Sequence, residues 1–387
     1  MAAELIGIEF QMSLLLFVSL LGYVIATRFG QSIVIGEILV GLLIGPSFLG
    51  VITYTEFIRV LAQFGAIFLL FVVGLECKFK EIYTLKSFAI ASFGVVVPWV
   101  GGFMLAGFLG YPLATSIFIG TALTATSIAI TANVLKELGK LETDVAKAVI
   151  GAAVIDDILG LLALSLTTEF VAHEISLISV LTKAGIAVGF LVVGAFAGMV
   201  LSYLLSLSNY WAEKKGVPQT TFIFAITLAF FYSFVAELVG LSAIVGAFIA
   251  GVALESVKIK SYREGAMYFE IVFSAIFFVS LGILINLKEI TGGFSFLIFL
   301  ILLVIVAVLT KLVGCWAGAR LFGMSSKDSL IVGVGMTPRG EVAMIVALIG
   351  LSAGYVKQDA YSGVILMSLL TTLLTPPLLK ILLKNKP

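Results

Sequence analysis

The chain has 387 residues, of which 61% are hydrophobic and only 12% charged, and its formal net charge at pH 7 is +1. A soluble protein of this length carries roughly twice that charged fraction, so the composition excludes one and indicates a polytopic membrane protein. The near-zero net charge removes any general electrostatic reason to bind nucleic acid. Two cysteines are too few for a disulfide framework, and one histidine excludes a multi-histidine metal site.

Apolar runs long enough to cross a bilayer predict an all-α protein with thirteen transmembrane helices. The first run lacks a basic leader and a cleavage site, so we predict a span rather than a signal peptide. Of the Lys and Arg residues in the connections, 17 fall on one side and 4 on the other. This asymmetry predicts an external N-terminus and a cytoplasmic C-terminus. The predicted spans are 5–27, 32–50, 58–75, 87–110, 112–135, 145–168, 177–206, 219–238, 240–256, 267–286, 293–320, 328–352 and 360–382.

The fifth and sixth predicted spans carry unusual polar groups. The fifth has five hydroxyls between Thr121 and Thr131, which indicate either an unwound segment or a helix whose hydroxyls bond carbonyls one turn back. The sixth has two adjacent aspartates, Asp156 and Asp157, inside an apolar run. Each carboxylate costs at least a few kcal/mol near the bilayer centre, so the pair indicates work on a charged or protonatable species.

The eleventh and twelfth predicted spans add buried charge. Lys311 is the only lysine deep within a span. The twelfth span contains Gly-Met-Thr-Pro-Arg-Gly-Glu at 335–341, where Gly and Pro flank Arg339 and Glu341. Such a segment makes a poor continuous helix, and irregular backbone inside a bilayer is tolerated only beside protein or a wet cavity. We therefore predict a break here, and by analogy one in the fifth span.

Two segments about 210 residues apart resemble each other. Phe64–Phe68 and Phe273–Phe277 share a pattern with an offset of 209 residues. The match pairs the third predicted helix with the tenth, and a shift of seven helices makes the copies opposite in membrane orientation. Inverted repeats are typical of secondary transporters, with sites near the midplane, and the same offset pairs the fifth span with the twelfth. Glycines five residues apart repeat with an offset of 210, as Gly36 and Gly41 and as Gly246 and Gly251.

Three motifs carry a resemblance to a known family. They are Gly-Ala-Ala-Val-Ile-Asp-Asp at 151–157 with Gly160, the 335–342 segment, and Val-Ile-Gly-Glu at 34–37 with Gly45-Pro46. Together they resemble NapA-type sodium/proton antiporters of the monovalent cation/proton antiporter superfamily, whose NhaA member has inverted repeats. The resemblance runs from about residue 30 to the end of the chain.

The resemblance implies a domain organisation and a mode of action. Helices 1–3 (1–86) and 8–10 (211–290) would form a dimerisation domain, helices 4–6 (87–170) and 11–13 (291–387) a core (transport) domain, and helix 7 (171–210) the linker. Helices 5 and 12 would be broken and cross. Movement of the core against the dimer domain would give alternating access in a homodimer. The pair Asp-Asp is typical of electrogenic members, and neither an enzymatic activity nor a cofactor is implied.

The chemistry follows from where these side chains can point. Adjacent helical residues point about 100° apart, so Asp156 and Asp157 do not easily face one ion together. An ion pair between Asp156 and Lys311 removes two isolated buried charges. Asp157 is then the predicted Na⁺-binding and proton-carrying carboxylate, with Thr126 and Ser127 as candidate oxygen ligands. A second proton on the Asp156–Lys311 pair gives a stoichiometry of two protons per sodium.

The other buried charges have structural interpretations. Arg339 and Glu341 are predicted to compensate charge at the crossing, by pairing with each other or with unwound backbone ends. Glu37 is predicted to be structural, buried against a serine or an arginine. His173 is predicted to be a solvated outer-loop residue rather than a pH sensor.

Other classes of function fit these residues less well. An aspartyl protease needs two carboxylates that share a proton, and adjacent residues on one helix are poorly placed for that. A channel needs an open pore lined with rings of polar groups, although a channel-like potassium relative stays open. The main alternative is potassium/proton exchange, because the sequence does not fix cation selectivity. We expect Na⁺ and protons as the transported ions, Li⁺ as a further candidate, and the plasma membrane as the location.

Overall fold

A computed structural model describes residues 7–78, 84–171, 177–217, 219–289 and 293–384. The described residues form α-helices and one 3-10 helix, without a strand, which confirms the predicted all-α class. The helices are α1 Ile8–Arg28, α2 Ile33–Ile44, α3 Glu56–Leu75, α4 Leu85–Phe108, α5 Leu113–Thr124, α6 Ile128–Glu137, α7 Asp144–Val171, α8 Leu177–Lys215, α9 Gln219–Leu238, α10 Ala243–Leu254, α11 Lys260–Ile283, α12 Phe294–Leu321, α13 Ser326–Gly335, α14 Glu341–Ser352 and α15 Gln358–Lys384; the 3-10 helix is Leu287–Glu289.

The helices identify a multi-pass membrane protein. Within the described chain, ten helical segments are long and apolar enough to cross a membrane, and three shorter apolar helices accompany them. The count of thirteen spans stays a prediction. The second predicted span, 32–50, was too long: α2 ends at Ile44, because Gly45 is extended and Pro46 lacks an amide hydrogen to continue the helix. The seventh was too short, since α8 continues to Lys215.

Close helix contacts between glycines follow the predicted repeat. A methyl group on Gly41 of α2 would overlap the backbone of Val279 in α11, and one on Gly282 of α11 would overlap α2 at Ile38. The repeat-related pair behaves alike, since Gly251 of α10 lies against Phe71 of α3, and Gly74 of α3 against Phe248 of α10. Small residues let membrane helices approach closely. The α2–α11 and α10–α3 contacts are thus counterparts in the two copies.

The helices pack in two groups. The crossing bundle is α4–α7 with α12–α15, and its largest contacts are those of α4 with α12 and α5. The flanking bundle is α1–α3 with α9–α11, built around α3, α10 and α11, and α8 packs on it. The two bundles meet where α6 contacts α2 and α3 and where α15 contacts α2. The expected division into transport and dimerisation domains stays a prediction.

Candidate ion-binding site

Two helix breaks lie against each other inside the crossing bundle. The first is the extended segment 125–127 between α5 and α6, and the second is 336–340 between α13 and α14. The continuous-helix alternative for the fifth predicted span is therefore wrong. Pro338 explains the second break, because it has no amide hydrogen and its ring clashes with the preceding turn.

The two breaks satisfy each other's backbone groups. The amide of Ser127 donates to the carbonyl of Pro338 at 2.7 Å. The hydroxyl of Thr126 donates to the Met336 carbonyl at 3.3 Å, and that of Thr131 to the Gly335 carbonyl at 2.5 Å. Unpaired backbone groups are costly in a bilayer, so these bonds stabilise unwound segments at this depth.

A buried ion pair lies beside the first break. The Nζ of Lys311 on α12 is 2.8 Å from Oδ1 of Asp156 on α7, and their side chains are 0% and 2% exposed. The same ammonium donates to the carbonyl of Thr124, the last residue of α5, at 2.6 Å. Lys311 is therefore compensated both by a carboxylate and by the negative end of a helix.

Asp157 follows Asp156 on α7 and is half-buried, whereas Asp156 is buried. The Thr126 hydroxyl, also half-buried, lies at the second break through its bond with the Met336 carbonyl. Ser127 Oγ is buried without a hydrogen-bond partner among the described residues, and it lies 2.9 Å from where a Cβ on Gly340 would be. The structure thus brings both aspartates, Lys311 and the two hydroxyls to the crossing. Their roles in ion binding stay predictions.

Arg339 is fully buried, and its guanidinium donates to backbone carbonyls. Its Nη2 donates to the carbonyls of Leu123 in α5 at 3.0 Å and Ala307 in α12 at 2.8 Å. Its Nη1 donates to the Thr337 carbonyl at 2.5 Å. A guanidinium beside the carbonyl ends of α5 and α13 opposes their dipoles. Glu341 begins α14, and its side chain lies outside the described part of the structure.

Two groups of residues at or near the crossing were not predicted from the sequence. Ser368, Thr371 and Thr372 of α15 bond the second break. Their spacing of three and four residues is that of one helical face, but the sequence does not say whether such hydroxyls meet another segment or bond their own carbonyls. Lys136 of α6 pairs with Glu270 of α11 at 2.5 Å, across the two bundles.

The two remaining predicted residues are Glu37 and His173. Glu37 is buried, at 4% exposure, and its expected serine or arginine neighbour stays a prediction. A serine contact is made by Glu137, whose Oε2 accepts from the Ser32 hydroxyl at 2.9 Å. His173 lies outside the described residues.

Two crossing broken helices with a buried ion pair, in a multi-pass helical fold, define a membrane protein of the secondary-transporter class. Residues 14–385 match the family described as "Sodium/hydrogen exchanger, transmembrane", and the chain belongs to that family, which confirms the resemblance.

Similar proteins include the Na(+)/H(+)-K(+) antiporter GerN of Bacillus cereus, 34% identical over 96% of this chain and 95% of the relative. The Na(+)/H(+) antiporter of Enterococcus hirae is 33% identical over 99% of each chain. The solved structure of the sodium proton antiporter MjNhaP1 from Methanocaldococcus jannaschii at pH 8 shares the fold, with a TM-score of 0.68 at 19% identity over 97% of this chain and 96% of that one.

Proposed function

We propose that the protein is a secondary sodium/proton antiporter whose transported ions meet at the crossing of the two helix breaks. The observation that carries this proposal is the buried Lys311–Asp156 pair, 2.8 Å long, at the broken helices with Asp157 beside it. Buried ionisable groups inside a membrane protein mark ion and proton pathways. Family membership and the printed activities of the relatives from Bacillus cereus and Enterococcus hirae support the same function.

Asp157 is the proposed carboxylate for which Na⁺ and protons compete. Thr126 and Ser127 supply neutral oxygens, which suit a hard cation, and the unpartnered Ser127 hydroxyl has lone pairs to offer. Competition suffices for exchange if the bundle moves with either ion bound but not when empty. A second proton carried by the Asp156–Lys311 pair makes the exchange electrogenic, with two protons per sodium. Arg339 compensates charge at the helix ends, and Glu341 is assigned the same role.

The proposal extends to the setting of this exchange. The crossing bundle, as the transport domain, moves against the flanking bundle, which dimerises with a second copy. The protein lies in the plasma membrane with its N-terminus outside and its C-terminus in the cytoplasm. It requires no cofactor and changes no covalent bond, and Li⁺ is a further candidate for the Na⁺ site.

Potassium exchange is the second candidate. One observation favours it: GerN, whose name includes potassium, is 34% identical to this chain. Thr126 and Ser127 are oxygen ligands that either cation accepts, so the choice turns on the size of the site.

The test uses purified protein in proteoliposomes with an imposed proton gradient, and lumenal pH is followed as Na⁺ or K⁺ is added. We expect Na⁺ to collapse the gradient, Asp157→Asn to abolish this response, and Asp144→Asn to leave it intact. Asp144 is a matched control because it is an exposed aspartate at the start of the same helix. A response to K⁺ alone would favour potassium/proton exchange over sodium/proton exchange. Full activity in Asp157→Asn would show that the site is elsewhere.

A further inference from the structure

Every carbonyl from Gly335 to Gly340 accepts a hydrogen bond, and the donors come from different elements. The first break and α6 supply the donors to residues 335, 336 and 338, and Arg339 itself supplies the one to Thr337. The last two carbonyls, those of Arg339 and Gly340, are bonded by α15. The unwound segment is therefore held on one side by the other break and on the other by the last helix.

Two adjacent threonines of α15 hold both polar groups of the Arg339 backbone. The amide of Arg339 donates to Thr371 Oγ1 at 3.3 Å, and its carbonyl accepts from Thr372 Oγ1 at 2.7 Å. The Thr371 hydroxyl gives its own proton to the Ser368 carbonyl at 3.0 Å, so its lone pairs are left for Arg339. Both threonines are buried, at 0% and 4% exposure. One threonine accepts where the other donates, which matches the amide and the carbonyl of Arg339.

The position of this backbone decides where the guanidinium lies. Arg339 Nη2 bonds the carbonyl of Leu123, and the next carbonyl along, that of Thr124, accepts from Lys311. Lys311 in turn pairs with Asp156. A continuous series of contacts therefore joins the two threonines to the ion pair, through the carbonyl end of α5. Within a dry interior, a small shift of a fixed charge alters the electrostatic free energy of a neighbouring ion strongly.

We propose that Thr371 and Thr372 are positioning residues that fix Arg339 over the end of α5 and so set the affinity of the crossing for its cation. The identity of the cation in this inference rests on the proposed function. The hold of Thr371 and Thr372 on the Arg339 backbone, here called the threonine clamp, rests on the hydrogen bonds alone. Neither threonine touches the aspartates or the ion pair in the contacts described above; they act through Arg339.

The test compares three substitutions in proteoliposomes. Thr372→Val keeps the side-chain shape but removes the donor, and we expect the apparent KM for Na⁺ to rise about tenfold, with a smaller change in Vmax. Thr372→Ser keeps the hydroxyl and restores the KM to near the original value. Thr375→Val is the matched control, because among the described residues this buried hydroxyl on the same helix bonds only the Thr371 carbonyl one turn back, at 2.8 Å. It leaves the KM unchanged.

Hydrogen exchange of the 336–340 segment, measured by mass spectrometry on the same proteins, separates the clamp from its effect on the cation. We expect Thr372→Val to speed exchange in this segment and Thr375→Val not to. If hydrogen exchange of the 336–340 segment is unchanged in Thr372→Val, the threonines do not clamp it. If hydrogen exchange is faster but the KM for Na⁺ is unchanged, the clamp exists but does not position Arg339 for cation binding. An equal rise in the KM for Na⁺ in Thr375→Val also overturns the positioning role, because loss of packing would then explain the effect of both substitutions. If the wild-type protein does not exchange Na⁺ for protons, the proposed function is wrong, but the hydrogen-exchange rates still test the threonine clamp. Thr371→Val replaces Thr372→Val should the latter fail to fold.

Discussion

At the scale of single residues, backbone carbonyls accept hydrogen bonds from both buried cations at the crossing. Lys311 has Asp156 and the Thr124 carbonyl, whereas the guanidinium of Arg339 has only carbonyls among its hydrogen-bond acceptors in the described residues. The carbonyl end of a helix carries about half a negative charge, so the end of α5 attracts both cations. Breaking a helix inside the bilayer thus creates the counter-charge that these two residues require.

The Lys311–Asp156 pair gives a prediction about stability. Asp156→Asn leaves the ammonium with the Thr124 carbonyl as its acceptor, and removal of one partner of a buried pair costs about 3–5 kcal/mol. Lys311→Met leaves the carboxylate uncompensated at similar cost. The double substitution removes both charges and should recover most of the loss. Thermal unfolding of the purified variants measures this, and the prediction is wrong if the double variant is as unstable as the sum of the single ones.

An exposed pair serves as the control for that series. Lys258 lies 2.8 Å from Glu255, but the lysine is 63% exposed. Such pairs contribute less than about 1 kcal/mol, so Lys258→Met should hardly change the melting temperature.

The sequence reveals some of these residues and hides others for a physical reason. The two aspartates and Lys311 are conspicuous because a bilayer penalises isolated charge, so a charge within an apolar run indicates a partner. Thr371 and Thr372 are hidden, because hydroxyls in membrane helices commonly bond their own carbonyls one turn back, as Thr375 does. Which of these three threonines turns toward another segment depends on tertiary packing.

At the scale of elements, glycines set how closely the helices of the two repeats approach. Gly41 and Gly251 occupy equivalent places, each against the backbone of a partner helix. The repeat was readable from the sequence because these contacts admit no side chain, which leaves glycine at a fixed offset. The length of α2 was not readable in this way. The apolar run continues past Gly45 and Pro46, and hydropathy does not register the end of a helix.

The glycine contacts predict a matched pair of defects. Gly41→Ala and Gly251→Ala each force two helix backbones apart, and overpacking of this kind costs about 1–3 kcal/mol. Gly160→Ala is the control, because an added Cβ there would meet no atom of another element within 4 Å, and alanine favours the helix. Melting temperatures should fall for the first two and hold or rise for the third. Similar melting temperatures for all three would contradict close packing at the repeat contacts.

At the scale of the whole molecule, several polar contacts join the two bundles near the side predicted to be cytoplasmic. Besides Lys136–Glu270, Ser32 bonds Glu137, and Lys380 of α15 donates to the carbonyl of Gly30. A cleft of about 270 Å³ opens between these elements. Movement of one bundle against the other has to break such contacts. They therefore stabilise the present arrangement relative to one in which the bundles have moved apart.

This yields a prediction about access to the bundle interface. Glu270 is almost fully buried on α11, so Lys136→Met leaves it uncompensated and favours separation of the bundles. Val134 lines the cleft on α6 at 2% exposure, and a cysteine there reports on opening. We expect maleimide to label Val134→Cys about tenfold faster when Lys136→Met is present, a change equivalent to about 1.4 kcal/mol.

Two controls make the labelling result specific. Lys258→Met removes an ion pair that lies outside the contact between the bundles, so it should leave the labelling rate of Val134→Cys unchanged. The protein without the Val134→Cys substitution gives the background from Cys77 and Cys315, both of which are buried. Adding Glu270→Gln to Lys136→Met removes the uncompensated carboxylate and should return the rate toward its original value. If labelling stays equally slow in all of these variants, the Lys136–Glu270 pair does not hold the bundles together.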